Sequence, residues 1–548
     1  MIPVPAPRGE WEAAAGRATR YSNGTMSDTP GNSYDDVPYD SFAYPHTHPA
    51  RLATVATLFG LAPPDVARCR VLELGCAAGG NIIPMAEAFP HSAFVGIDLS
   101  GRQIADGTAV VRECGLTNVR LEHASITDLD GSYGEFDYVL CHGVFSWVPP
   151  AVQEAIFAAC ARHLAPNGVA FVSYNTYPGW HMRGMIRDMM RYHALQFDRP
   201  DERVGQARAL LDFLAQTTQK EAGAYGVLLR SELDLLKHQS DHYLYHEQLE
   251  EHNQPLYFHQ FVARAEPHGL RYLGEALVNT MLPGNFGPDV QKTLAQLAPG
   301  QIQTEQYLDF VRNRTFRETL LVRADNVPNW EMVPERVFNL HVSCGAKAVG
   351  RATDPGTKAP MQFRGPSGMV LSASNPVFKA AMMELIGAWP GTVHFPELLD
   401  RSAARLGRPA SEEDRQALAA GVLNAHVSSD LVELSAAPVR FARVPPERPV
   451  ALVHARAAAK GGRTSVSNRR HETVRLDDLS SRLLPLLDGT RDRAALVEAL
   501  AALARAGELT VQRGGQALAD ADAIRASVAG ALEDALGELA RDALLAEV

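Results

Sequence analysis

What this 548-residue sequence lacks bounds it before any motif is read. No apolar run approaches the ~20 residues needed to span a bilayer, so no membrane insertion is expected. The six cysteines (Cys69, Cys76, Cys114, Cys141, Cys160 and Cys344) form no C-x-x-C pair, which argues against a zinc site, and their scatter fits a reducing compartment. Basic charge is short: 52 Lys and Arg face 63 Asp and Glu, a net charge of -11, which argues against nucleic acid as a partner. The start, MIPVPAPRGEWEAAAGRATR, lacks the apolar centre of a signal peptide. A cytoplasmic protein is expected, with Met26 as an alternative first residue. The stretch YHEQLEEHN holds His246, Glu247 and His252, but not at H-E-x-x-H spacing. It reads as a surface or domain contact, and no metal is expected.

The length exceeds the roughly 250–300 residues at which single cores stop growing, so several domains are expected. Residues 1–32, rich in Pro, Gly, Ser and Ala, read as a disordered arm. Residues 33–180 read as one domain, in which strand and helix patterns alternate from about 50 to 175. RVLELG, AFVGIDLS, VRLEHAS, FDYVLCHGV and GVAFVSYN are strands; RLATVATLFGL, NIIPMAEAFP, GRQIADGTAVVRECG and VQEAIFAACARHL are helices. Repeated βα units of this length predict an α/β core with a Rossmann-like parallel sheet covered on both faces. Residues 181–250 read as a helical insertion, and 251–325 as the return of the chain to that sheet through strands at 270–275 and ending near Arg323. Beyond lie two α+β, winged-helix-like modules, 326–455 and 456–548. In the first, DLVELSAAPVRFAR reads as a strand pair. AAAKGGRTSVSNRR reads as a linker between the modules, its basic end solvated.

The chemistry concentrates after the first strand, in LELGCAAGGN. Gly75 and Gly79 bracket a turn where backbone can approach a ligand, since no Cβ intrudes. Asp98 closes the next strand, where a carboxylate can accept both hydroxyls of a ribose. The spacing is not G-x-G-x-x-G, so a dinucleotide is not indicated. It runs Glu73-x-Gly75-x-Ala77-x-Gly79, and this resembles the acid-led E/D-x-G-x-G-x-G motif of class I AdoMet-dependent methyltransferases. Ala77 in place of the middle glycine is harmless if its φ is negative. The resemblance implies S-adenosyl-L-methionine as cofactor. It implies that the turn (Gly75, Cys76, Ala77, Gly79, Asn81) cradles the amino-acid half, that Asp98 with Leu99 holds the ribose side, and that Ala124 and Ser125 lie near the adenine. The end of the fourth strand, CHGVFSWV with His142, then lines the sulfonium and the acceptor.

Upstream, NSYDDVPYDSFAYPHTHPARL carries Tyr34, Tyr39, Phe42 and Tyr44. Aromatic faces attract a sulfonium cation, so this segment reads either as a lid over the cofactor or as an arm packed on the body. With LELGCAAGGNIIPMA, GIDLS, HGVFSWVP, SYNTYPGW, YLYHEQLEEHNQPLYFHQF and LLPLLDGTRDRAAL, it is similar to methyltransferases that carry a methyltransferase regulatory domain. Their best-known members are rickettsial protein lysine methyltransferases acting on outer-membrane proteins. That resemblance implies a homodimer and a protein substrate, such as an outer-membrane protein precursor. For a lysine acceptor, Trp147, Tyr177 and Trp180 are candidate apolar walls. Asn175 is a candidate to orient the amine, and His142 to hydrogen-bond near it or relay its proton. Two other readings stay open: a small-molecule O- or N-methyltransferase, and a non-enzymatic AdoMet-binding regulator.

Overall fold

The structure, a computed structural model, describes residues 41–218, 223–350, 354–513, 516–518 and 520–547. The arm expected at 1–32, together with Tyr34 and Tyr39, lies outside the described residues. The chain divides into two compact units, one containing Trp180–Glu251 and the other Ser41–Gly179 with His252–Val548.

In the larger unit, seven strands form one sheet: β1 (Arg70–Leu74), β2 (Ala93–Asp98), β3 (Val119–His123), β4 (Phe136–Cys141), β5 (Leu164–Asn175), β6 (Leu270–Glu275) and β7 (Phe316–Arg323). Their order is β3-β2-β1-β4-β5-β7-β6. β1 to β5 are parallel neighbours, and β7 lies antiparallel to both β5 and β6. Only β7 is reversed, and the helices Pro288–Leu297 and Gln301–Arg312 intervene between β6 and β7. Strands β1 and β4 are almost continuously buried because helices cover both faces, which is why they read as unbroken apolar runs. The chain reverses direction across the sheet between β1 and β4, opening a crevice at their carboxyl ends. The helix Gly101–Cys114 begins on a Ser100 side-chain cap and stops at Gly115, whose φ of 67° is left-handed.

In the same unit, His341–Cys344 pairs with Val393–His394 and with Val432–Ser435, beside the helices Pro376–Ala388, Phe395–Arg405 and Glu412–Ser428. The expected strand pair in DLVELSAAPVRFAR is a single strand there, Val432–Ser435, paired to His341–Cys344. Pro438 follows closely and has no N–H to extend a ladder. The expected linker is also structured. Val453–Lys460 is a helix crossing the expected boundary at 455/456, and Ser465–Ser467 pairs with Thr473–Arg475. The rest of this module packs the helices Asp478–Leu483, Arg493–Arg505 and Ala521–Arg541 around Leu483, Leu496, Leu500 and Leu536.

The smaller unit is helical. Gly179–Ala194, Pro200–Thr217 and Ala224–Leu236 share a core of Ile186, Met190, Ala207, Leu211 and Leu229. Its final turn, Tyr245–Leu249, is a π-helix whose end is held by Arg187 donating to the Glu250 carbonyl and by Arg191 donating to that of Leu249.

Candidate active site

The turn after β1 is held from both sides. The N–H groups of Gly75 and Cys76 donate to the Ile97 carbonyl at 2.9 and 3.0 Å, tying the turn to β2. The Ala77 N–H donates to Asp98 Oδ2 at 2.8 Å, and the Ser100 N–H to Asp98 Oδ1 at 2.8 Å. Asp98 therefore fixes the turn through both carboxylate oxygens. Gly75 and Gly79 have φ near +75°, and Ala77 has φ +49°. The condition under which alanine is harmless here, a negative φ, is not met: the Asp98 anchor holds the left-handed form on a residue with a Cβ. Cys76 turns its side chain away from the crevice. Its Sγ lies against Gly96, where an added Cβ would stand 2.7 Å from it, and burial pushes its thiol well above the usual range. Only its backbone faces the site.

Glu73 is buried, and its Oε1 accepts from Asn81 Nδ2 at 2.6 Å. Asn81 Oδ1 accepts in turn from the Tyr44 N–H at 3.0 Å and from His471 Nε2 at 2.8 Å. The arm from Ser41 to Thr47 thus lies on the turn. Gly80 makes this possible: a Cβ there would meet the Ser41 carbonyl at 2.4 Å, and instead the Gly80 N–H donates to Ser41 Oγ at 2.7 Å. Phe42 in this arm is 39% exposed. On the far side, the Ala124 N–H donates to the Asp98 carbonyl at 3.0 Å, and Ser125 caps the short turn Ile126–Asp128. Leu99, 60% exposed, offers an apolar face beside Asp98.

At the end of β4, His142 packs against Tyr44 with ring centroids 3.9 Å apart and planes tilted by 37°, and also meets Phe171 and Phe316. Burial pushes its imidazole down to about 4, against the pull of Glu318, so it is neutral near pH 7. Nearby, His46 Nδ1 lies 2.7 Å from Glu318 Oε2. Asn175, at the end of β5, is buried; its N–H donates to Ser146 Oγ at 2.8 Å and its side-chain amide to Asn253 Oδ1 at 2.9 Å. Trp147 and Tyr177 are partly exposed, and Tyr177 meets Tyr257 at 5.3 Å. Trp180 is 1% exposed and belongs to the helical unit, where Arg183 lies over its ring.

One crevice therefore gathers Tyr44, Glu73, Gly75, Ala77, Gly79, Asn81, Asp98, Leu99, Ala124, Ser125 and His142, whereas Phe42 faces Pro84, Val110 and His454, Trp180 lies in the other unit and Tyr39 is not described. Ser41, Gly80, His46, Glu318 and His471 were missed. His46 sits inside the aromatic segment. Glu318 and His471 lie 272 and 390 residues from their partners, a separation at which no spacing rule operates.

These residues fit AdoMet. Buried Glu73 Oε2 has no hydrogen-bond partner among the described residues, leaving an acceptor for a cationic donor. Burial pushes this carboxyl up to about 7, opposed by the Asn81 hydrogen bond and aided by Asp98, and a bound ammonium favours its ionised form. Gly143 has open space where a Cβ would stand. A sheet in this order, with a glycine turn after β1 and an acid closing β2, defines the class: AdoMet-dependent methyltransferases of the Rossmann-like kind.

Comparison with known proteins agrees and narrows the class. Residues 71–168 match the family "Methyltransferase domain", residues 240–323 "Predicted methyltransferase regulatory domain", and residues 447–544 "PKMT, C-terminal winged helix domain". An uncharacterized protein of Rickettsia prowazekii is 36% identical over 537 residues, covering 95% of each chain. PKMT2 from Rickettsia typhi, solved in complex with AdoHcy, superposes with a TM-score of 0.82 at 30% identity, covering 93% of this chain and all of that one. A second PKMT2 structure gives 0.84. The chain belongs to the methyltransferase family of these rickettsial proteins.

Proposed function

We propose that this enzyme is a protein lysine N-methyltransferase, working as a cytoplasmic homodimer on surface lysines of proteins, outer-membrane protein precursors among them. The observation that carries this reading is the full-length likeness to PKMT2, winged-helix module included. When bound, AdoMet supplies an activated methyl group with its leaving group built in. The protein's part is to hold, orient and desolvate. In this reading Gly75, Ala77 and Gly79 present backbone to the amino-acid half, Glu73 takes its ammonium, Asp98 takes the ribose hydroxyls, and Leu99 with Ala124 and Ser125 flanks the adenine.

A lysine amine titrates near 10.4 in water and must lose a proton before it attacks. The aromatic mouth formed by Tyr44, His142 and Phe316 disfavours the ammonium, which lowers that value. His142, being neutral, adds no repulsion. The His46–Glu318 couple beside it is placed to receive the proton. Trp147 and Tyr177 wall the approach, and Asn175 acts through Asn253 to shape it. The helical unit supports dimerisation: Met182, Met185, Tyr192, Leu195, Phe213 and Val227 expose apolar surface on it. The winged modules serve protein contact.

The test is incubation of the protein with methyl-labelled AdoMet and a bacterial extract. Label is expected on lysines of proteins, located by mass spectrometry. Asp98→Asn is expected to weaken AdoHcy binding about 10- to 100-fold through the lost charge-assisted bonds. Label found only in small molecules would overturn the lysine assignment.

A further inference from the structure

A cavity of about 550 Å³ opens inside the larger unit where three of its modules meet. None of the cofactor-crevice residues lines it. Its volume falls within the roughly 300–1,000 Å³ typical of small-molecule sites. Four arginines converge on it: Arg51 from the helix Pro49–Leu58, Arg440 from the segment after Val432–Ser435, and Arg469 and Arg470 from the loop between Ser465–Ser467 and Thr473–Arg475. Its acids are Glu87, Glu433 and Glu547.

The acids gather on Arg469 and Arg470, whereas Arg51 and Arg440 have no carboxylate in contact among the described residues. Arg470 is satisfied by Glu433 and by Glu472 at 3.0 Å. Arg469 reaches Glu87 at 3.4 Å, but that carboxylate already accepts from His454 and from two backbone N–H groups, and the buried Arg469 Nε has no partner among the described residues. The side chains of Arg51 and Arg440 make no hydrogen bond or ion pair among the described residues, although Glu433 feels the charge of Arg51. Phe89 and His48, with ring centroids 5.4 Å apart and planes tilted by 45°, add ring surface to its lining. Guanidinium groups without carboxylates suit phosphate or carboxylate oxygens, which they bind through paired N–H donors.

We propose that this cavity binds a small organic polyanion, a body of about nucleotide size carrying phosphate or carboxylate groups, with Arg51 and Arg440 as its main anchors. Because the arginines come from three modules, the occupant ties those modules together.

The test is calorimetric titration of the full chain with ATP, pyrophosphate and citrate, each alone. At least one is expected to bind one-to-one with a dissociation constant below about 1 mM. Binding of ATP and pyrophosphate without citrate assigns the site to phosphates, and the reverse to carboxylates. The Arg51→Ala/Arg440→Ala double variant is expected to lose at least about tenfold in that affinity while binding AdoHcy as the parent does. Should the double variant fail to bind AdoHcy, the single Arg440→Gln variant at its exposed position takes its place, with a loss of about threefold or more expected. Saturation by none of the three anions, or equal affinity in the arginine variants, would overturn the proposal.

Discussion

Ala77 is the residue at which backbone strain and the geometry of the candidate site meet. Its φ of +49° costs an L-residue about 1 kcal/mol, because Cβ crowds the following carbonyl. The turn bears that cost because it is over-determined: Asp98 Oδ2 takes the Ala77 N–H at 2.8 Å and the Gly79 N–H donates to the Cys76 carbonyl at 2.9 Å. Glycine at this position would relieve the strain and keep both bonds. Ala77→Gly is therefore expected to raise stability by about 0.5–1 kcal/mol in urea unfolding, with AdoHcy affinity unchanged. A loss of stability would mean that the alanine methyl contributes packing that outweighs its strain.

At the scale of elements, β6, β7 and the helix Gln301–Arg312 close the catalytic sheet around a buried charge cluster. Arg317 on β7 is 0% exposed. It donates to Asp309 through Nε (2.8 Å) and Nη2 (2.9 Å), to Glu275 at 2.7 Å and to Glu305 at 3.2 Å, with Phe258 beneath it. Burial pushes Glu305 and Asp309 upward, whereas at Glu275 the charges of Arg317 and Arg314 outweigh burial and hold the carboxyl down. Arg317→Met leaves Glu305 without its ion-pair partner and Glu275 and Asp309 with Arg314 alone. It is expected to cost about 3–5 kcal/mol, measurable as a drop in the thermal midpoint and a loss of AdoHcy binding. A near-neutral result would show that the acids simply protonate and repack.

The strands around this cluster were legible in the sequence because burial on both faces leaves unbroken apolar runs, and Leu270–Glu275 was placed without error. The crevice was legible where its chemistry is local, from Glu73 to Asn81 and at Asp98. What escaped is what depends on distant partners. Arg469 and Arg470 read as a solvated linker because Glu87 and Glu433, which bury them, stand far off in sequence. The sign of φ at Ala77 is set by Asp98 and not by its neighbours. His471 reaches Asn81 from a module whose sequence holds no trace of the cofactor turn.

For the molecule as a whole, one carboxylate joins the sheet domain to the last module. Glu87, in the helix Ile82–Ala88, meets His454 at 2.5 Å, the N–H groups of Val453 and His454 at 3.1 Å each, and Arg469. Those N–H groups open the helix Val453–Lys460, where a negative charge is favoured. Burial alone would raise the Glu87 carboxyl, but these partners bring it from 4.5 down to about 2. A folded-state value below the unfolded one contributes stability that is complete above about pH 4.5 and is lost as pH falls toward 2. The size of the shift corresponds to about 3 kcal/mol. Glu87→Gln is therefore expected to be less stable than the parent by about 3 kcal/mol at pH 6, with the gap closing as pH falls through 4 and vanishing near 2. Urea unfolding across that range reads the gap, and limited proteolysis at each pH reads release of the C-terminal module. A gap of constant size at every pH would mean that packing around Glu87, and not its charge, holds the module in place.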